Sequence, residues 1–563
     1  MDSSQLRVGE SEIMWQGWGQ ALAKWWNQAE AKLLVGLLLG GLLARSAIAF
    51  WLPPGFDEAY YYLYTQNLDW SYFDHPLMVA WTTGFGVWLT GHVSQFTIRI
   101  GPLLLYSGSL IFLYLTSKQL FSAKAGVLTV AIASLIPIFV VAFGVLTLPD
   151  SPLIFFWSAT LFVAAEEFFR LPTYRPSYRL ALIGLLVGLA CLSKYHGFAI
   201  GFSLIGFCLT SPRHRRALVS PWTIVALGLF LLAISPIVIW NLQHDWVSLR
   251  YQSGRAIPDR GYSLLALLGT FLIGVAYLFP TFGLPLWWVS LKAADRGPQA
   301  EGPEREGARM NLPQFPISPR PRSLLLWFAL PLMLGFTLMG GYRPILPTWA
   351  MPGFWGATVL LGERAASWQA RSPKGVQRWL VGSGLVIGTL LLVALLHLRL
   401  GTLQQPSRFA WFGGFLPVNA DASVQLVDIQ QIRQGFKDAA DLRSALEQAD
   451  FVFTSEIFLA GQMGMAIAPL NPPPITALTE DLRGFAFWST ATEWVGKTGL
   501  YVTSTRLPDA TMYQPYFEAI EPLGEIPLQR GGVIVETIQI YRAINLLKPF
   551  PRPDDVNRST RLR

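Results

Sequence analysis

Residues 31–62 read AKLLVGLLLGGLLARSAIAFWL, then PPG, then FDEAYYY, and the junction between these pieces decides the class of fold. Residues 31–52 form an apolar run, interrupted only by Lys32 and Arg45, of the length that crosses a bilayer. Directly after Pro53-Pro54-Gly55 come Asp57, Glu58, Tyr60, Tyr61 and Tyr62, followed by Asp69-Trp70 and Tyr72-Phe73-Asp74-His75-Pro76. Carboxylates are costly in or beside a bilayer, so Asp57, Glu58, Asp69 and Asp74 together point to chemistry at the membrane surface. An ordinary solvated loop has no need of so many aromatic residues. Tyrosine and tryptophan also collect at membrane interfaces for structural reasons, so the rings read either as a substrate platform or as an anchor.

The rest of the composition agrees with a membrane chain. Of 563 residues, 52% are hydrophobic and 14% charged, against about 25% charged in soluble proteins. The mean hydropathy is +0.39. A net charge of +8 would suggest a nucleic-acid partner in a soluble protein. Here the positive residues lie mostly in short loops between apolar runs, where they set orientation, and no nucleic acid is expected. Cys191 and Cys208 both fall in apolar stretches, which supports neither a disulfide framework nor a zinc cluster. No cleavable leader is read at the N-terminus. Residues 1–30 are expected to form an interfacial helix, with Trp15, Trp18, Trp25 and Trp26 on one face and Lys24 and Lys32 nearby.

Apolar segments fall near 31–52, 98–117, 125–148, 151–168, 180–193, 197–210, 222–240, 262–291, 323–340, 349–362 and 379–398. That makes about eleven transmembrane helices, with 262–291 kinked or split at Pro280 and Met78–Leu89 too short for a span and lying along or dipping into the surface. One alternate set of loops is basic (Lys118 and Lys124; Arg170, Arg175 and Arg179; Arg213, Arg215 and Arg216; the 292–322 linker; Arg364, Arg371, Lys374 and Arg378) and reads as cytoplasmic. The N-terminus is then cytoplasmic, while the acidic loop and everything after residue 398 lie outside. Residues 31–398 are one helical membrane domain. Residues 399–563 change character: strand patterns at 451–454, 499–503 and 533–538 alternate with helical ones at 438–449, 456–467 and 512–520, as in an extracytoplasmic α/β domain.

The outward-facing polar residues then collect on one side. Asp150 opens a span within Leu146-Thr147-Leu148-Pro149-Asp150-Ser151-Pro152, where a proline and a carboxylate also serve as plain helix capping. Lys194, in Ser193-Lys194-Tyr195-His196, caps another span and has snorkelling as its structural reading. The loop Asn241-Leu242-Gln243-His244-Asp245-Trp246, with Arg250, Arg255 and Arg260, offers cations and donors suited to a phosphate, and Tyr342-Arg343-Pro344 precedes Pro347-Thr348-Trp349. Carboxylates and separated cations beside an apolar groove suggest a substrate with a lipid tail and a phosphate. No glycine-rich phosphate loop precedes a strand, and the six histidines lack metalloprotease spacing. No cofactor is required; a divalent metal ion is possible.

Asp57-Glu58-Ala59-Tyr60-Tyr61 followed by Tyr72-Phe73-Asp74-His75-Pro76-Leu77 resembles the first outer loop of bacterial membrane glycosyltransferases of the dolichyl-phosphate-mannose–protein mannosyltransferase-like superfamily. That group includes the lipid A aminoarabinose transferases and the galacturonosyltransferases of the Rgt type. The resemblance continues in order through Pro149-Asp150-Ser151-Pro152-Leu153, Ser193-Lys194-Tyr195, the Asn241–Trp246 loop and Pro347-Thr348-Trp349, where Thr348 stands in place of a histidine common in relatives. It covers most of residues 30–400 and is looser beyond.

The resemblance implies a GT-C fold and inverting transfer of a sugar from a polyprenyl-phosphate donor. It implies Asp57 as general base on an acceptor hydroxyl, with Glu58 and Asp150 orienting the acceptor or stabilising charge. Lys194 and an arginine among Arg255, Arg260 and Arg343 would hold the phosphate, with Tyr61, His75, Tyr195 and His244 also on the substrate side. The acceptor would be a lipid A-like glycolipid, a glycan or a protein outside the cytoplasm, with membrane lipids around the enzyme in the plasma membrane. A competing reading is a transporter or flippase of a lipid-linked sugar, although transporters place charge at the bilayer midplane and build from repeats, and neither shows in the sequence. An assembly protein acting through the C-terminal domain would leave the polar cluster idle.

Overall fold

The computed structural model describes residues 27–552 apart from 256, 259 and 296–318. The tryptophans expected to form an interfacial helix, Trp15 to Trp26, and most of the 292–322 linker lie outside the described residues.

Among the described residues, six helices are long and apolar enough to cross a membrane: Ala29–Trp51, Thr97–Leu120, Asp150–Phe169, Pro221–Gln243, Pro321–Met339 and Pro373–Leu400. A seventh is gained if Leu264–Leu278 and Pro280–Asp295 count as one bent span. The remaining expected segments are helical but shorter or less apolar: Ala123–Ala133, Arg179–Ser193, Tyr195–Thr210 and Met351–Arg371. Proline breaks two of the segments, one against expectation and one, at Pro280, as expected. The 125–148 segment is not one helix: the chain leaves the helix after Ala133, ahead of Pro137, and resumes as a π-helical turn over Phe139–Phe143. At Pro280 the chain turns by 115°, with Phe279 at φ 67°.

Met78–Thr90 is a helix against one end of the bundle. A Cβ at Gly86 would stand 2.2 Å from the Thr97 carbonyl oxygen, and one at Gly101 2.3 Å from that of Thr82, so bare backbone permits the close approach of the two helices. Its other face exposes Trp81, Phe85, Trp88 and Leu89, the side expected to lie along the surface.

The C-terminal sheet contains five strands: β1 Phe451–Thr454, β2 Ile475–Ala477, β3 Gly499–Ser504, β4 Phe517–Arg530 and β5 Val533–Leu546. Their order is β2-β1-β3-β5-β4, parallel from β2 to β3 and antiparallel from β3 to β4. The helix expected at 512–520 is instead a short turn at Ala510–Tyr513 followed by β4. Gly531 and Gly532, with φ 63° and 75°, make the two-residue hairpin that pairs β4 with β5, and Phe517 stacks on Phe453 in the core. Long-range pairing overrides the local helical pattern there.

This sheet region is packed directly on the acidic loop. Pro53-Pro54-Gly55 ends the first span, and Phe56–Tyr64 forms a separate short helix begun by Gly55, whose N–H donates to the Glu58 carboxylate at 2.8 Å. Ile457–Ile467 lies so close that a Cβ at Gly461 would stand 2.5 Å from the backbone of Ala59 and Tyr60. Tyr60, Tyr61, Tyr62 and Tyr64 are all buried, in one core with Ala460, Met463, Phe485 and Ala486. The tyrosines are therefore neither a bare platform nor a membrane anchor. They are the glue between the loop and the C-terminal sheet region.

Candidate active site

The loop helix sorts its first two acids by the direction each faces. Asp57 is exposed, with Asp74, Arg483 and Lys194 around it. Its carboxyl is pushed up to about 6, first by its poorly hydrated surroundings and then by Asp74, with Arg483 and Lys194 opposing. Glu58 is buried and fully engaged. It takes two hydrogen bonds from Arg99, at 2.6 and 2.8 Å, one from the Gly55 N–H and one from the Thr147 N–H at 2.9 Å. Arg99 spends its other donors on the carbonyls of Ala49, Leu52 and Pro53. The expectation that Glu58 meets an acceptor is thus corrected, because its oxygens are committed to a buried strut that joins the end of the first span to the segment leading into Asp150.

That segment delivers the second pair. Asp150 starts its helix and Lys194 follows the end of Arg179–Ser193, and the two meet with Nζ 2.8 and 2.9 Å from the carboxylate oxygens. Both are buried, so the capping and snorkelling readings are set aside in favour of a desolvated ion pair.

Asp74 sits on the turn closed by the Tyr72 N–H to His75 carbonyl bond, and accepts from the Tyr64 hydroxyl. Burial holds its carboxyl above the ordinary range, and Arg483 of the C-terminal domain, 3.7 Å away, opposes that. Burial, then Lys194, Arg255 and Arg483, keep His75 neutral, with its ring edge-on to Tyr61 at 5.6 Å. Lys194, Arg255, Arg483, Asp57 and Asp74 thus share one electrostatic neighbourhood.

The remaining expected residues divide. Arg255 lies over the rings of Tyr251 and Trp349, at 5.3 and 5.0 Å. Arg260 is exposed at a cavity of about 300 Å³ lined largely by apolar side chains, among them Ile273, Phe336, Leu346 and Phe354. Phe336 also stacks on His196 at 5.2 Å, so the cavity adjoins the polar cluster. Tyr195 shares a 2.7 Å hydrogen bond with Ser248. Arg343, in contrast, donates to the carbonyls of Gly254, Arg255 and Ile257, which makes it a clamp on the arginine loop. His244 is buried against Trp240, stacked at 4.1 Å, with Nδ1 2.7 Å from the Trp240 carbonyl. These contacts of the two residues are structural, to backbone carbonyls and to the Trp240 ring. Among the described residues, no cluster of three or more His, Cys, Asp or Glu side chains could hold a metal ion.

Two participants were not singled out from the sequence. Arg99 sits at the start of an apolar span, and an ionisable residue there demands a partner, which is a usable signal. Arg483 carries no local signal.

The geometry has relatives. Residues 74–240 match the family model described as dolichyl-phosphate-mannose-protein mannosyltransferase, a span holding Asp74, Asp150 and Lys194 but not Asp57. Lipid A galacturonosyltransferase RgtD of Rhizobium johnstonii is 29% identical over 340 residues, which are 58% of this chain and 63% of that protein, so the chain matches less than two thirds of its relative's length. The crystal structure of ArnT from Cupriavidus metallidurans in the apo state matches with a TM-score of 0.58 at 14% identity, over 90% of this chain and 97% of that one. ArnT bound to undecaprenyl phosphate gives 0.57 with the same identity and coverage. The family resemblance read from the loop motifs is borne out, and the chain has the GT-C fold of a multi-pass membrane protein.

Proposed function

We propose that this chain is a membrane glycosyltransferase that moves a monosaccharide from a polyprenyl-phosphate donor to a hydroxyl of a lipid A-like glycolipid, a glycan or a protein. The observation that carries the reading is Asp57, accessible and with its proton affinity raised toward neutrality, beside Asp74 and the fixed cations Lys194 and Arg483. A base is most effective when its pKa lies near the working pH. Asp57 takes the proton of the acceptor hydroxyl as that oxygen attacks the anomeric carbon from the face opposite the phosphate. The C–O bond to phosphate breaks, both electrons leave with the phosphate, and the configuration inverts. Arg255, Arg260 and Lys194 are suited to the developing phosphate charge in a site with little water. Asp150 holds Lys194 in place and keeps a buried ammonium paired. The names of RgtD and of the undecaprenyl-phosphate complex of ArnT support these substrate classes.

In this reading the eleven apolar segments each traverse the plasma membrane. The N-terminus is cytoplasmic, and the site and the domain from residue 399 lie outside. Asp57→Asn is expected to abolish transfer, read by mass spectrometry of envelope lipids and glycoproteins from a deletion strain carrying the variant, with insertion and folding intact. Normal products from that strain would remove Asp57 as the base.

A further inference from the structure

The segment around 481–488 reaches the site from the C-terminal domain with an unfavourable backbone. Arg483 has φ 41°, in the left-handed region that side chains with a Cβ seldom adopt. The shape is held from the other side: Gly484 donates its N–H to the Tyr60 hydroxyl at 2.8 Å, and a Cβ at 484 would stand 2.9 Å from that oxygen and 2.7 Å from Trp488. Strained residues persist where the surroundings over-determine them, and they cluster at functional sites. What this one delivers is a guanidinium 3.7 Å from Asp74 and 3.3 Å from Asp481, lying 5.3 Å over the Phe458 ring.

The charges facing Asp57 come from every neighbouring element. Glu58 and Tyr61 lie on its own helix, Asp74 on the following turn, Lys194 on the loop between two spans, and Arg483 on the C-terminal domain. Glu58 is neutralised by Arg99 and Lys194 is shared with Asp150, so the Asp74 charge has Arg483 as its counterpart.

We propose that Arg483 is a positioning residue of the site: from the C-terminal sheet region it pairs with Asp74 and balances that charge beside Asp57, so this region is part of the site and not only its cover. This rests on the reading of Asp57 as the base. Without Arg483, Asp57 and Asp74 each hold a proton to higher pH. The direction follows from its cation favouring the ionised form of both acids.

The test is an infrared titration of the purified full chain in liposomes, following the protonated-carboxyl band assigned by its loss in Asp57→Asn and Asp74→Asn. The part of the wild-type band lost in Asp57→Asn is expected to titrate near 6. Arg483→Gln should move it upward by about one pH unit, and Arg483→Lys should return it. Should Arg483→Gln fail to fold, Asp481→Asn, which removes the competing acid, should move the band downward. An unmoved band in folded Arg483→Gln or in Asp481→Asn, or an equal displacement in Arg483→Lys, overturns the proposal. Failure of the base reading is a separate result, seen as normal products from the Asp57→Asn strain.

Discussion

At the scale of single residues, two adjacent acids with the same sequence claim to chemistry are separated by their partners. A helix turns successive side chains about 100° apart, so Asp57 stays exposed while Glu58 meets Arg99. Removing one member of a buried pair leaves the other charged and desolvated, at a cost of about 3–5 kcal/mol. Glu58→Gln should therefore lower the denaturation temperature in detergent, with transfer per folded molecule retained. A Glu58→Gln protein as stable as wild type but inactive would return Glu58 to the chemistry. The acidity of the loop was legible in sequence, but the structural role of Glu58 was not, because Arg99 lies 41 residues away.

Among elements, the short tyrosine helix matters most. Its rings looked suited to an interface or a platform, since both places favour amphipathic aromatics. They are buried instead because Ile457–Ile467 presents a glycine where the two helices touch. Gly461→Leu should push the helices apart, since the nearest atoms are backbone and cannot turn aside. The expected destabilisation is about 1–3 kcal/mol, seen as a lower denaturation temperature and faster proteolysis of the C-terminal domain. Unchanged stability and proteolysis would mean that this contact is not tight. The same logic explains the lost helix at 512–520: its local pattern was outweighed by a partner strand across the Gly531-Gly532 turn.

For the whole molecule, sidedness is the property on which the reading of the site depends. Alkaline phosphatase fused after residue 552 should be active and a cytoplasm-dependent reporter silent, while fusions at the basic loop near Arg215 should behave oppositely. The reverse pattern would place the site on the cytoplasmic side. The apolar runs, the break at Pro280 and the ordered polar motifs were all readable from the chain, because length, hydropathy and the missing proline N–H act locally. They sufficed for a helical membrane protein and for the family resemblance. What only the tertiary structure decided is which charges meet: Glu58 with Arg99, Asp150 with Lys194, and Asp74 with Arg483, pairs separated by 41, 44 and, by subtraction of their numbers, 409 residues. A buried charge is tolerated only where a partner arrives, and that partner is set by packing between distant segments, which no local pattern records.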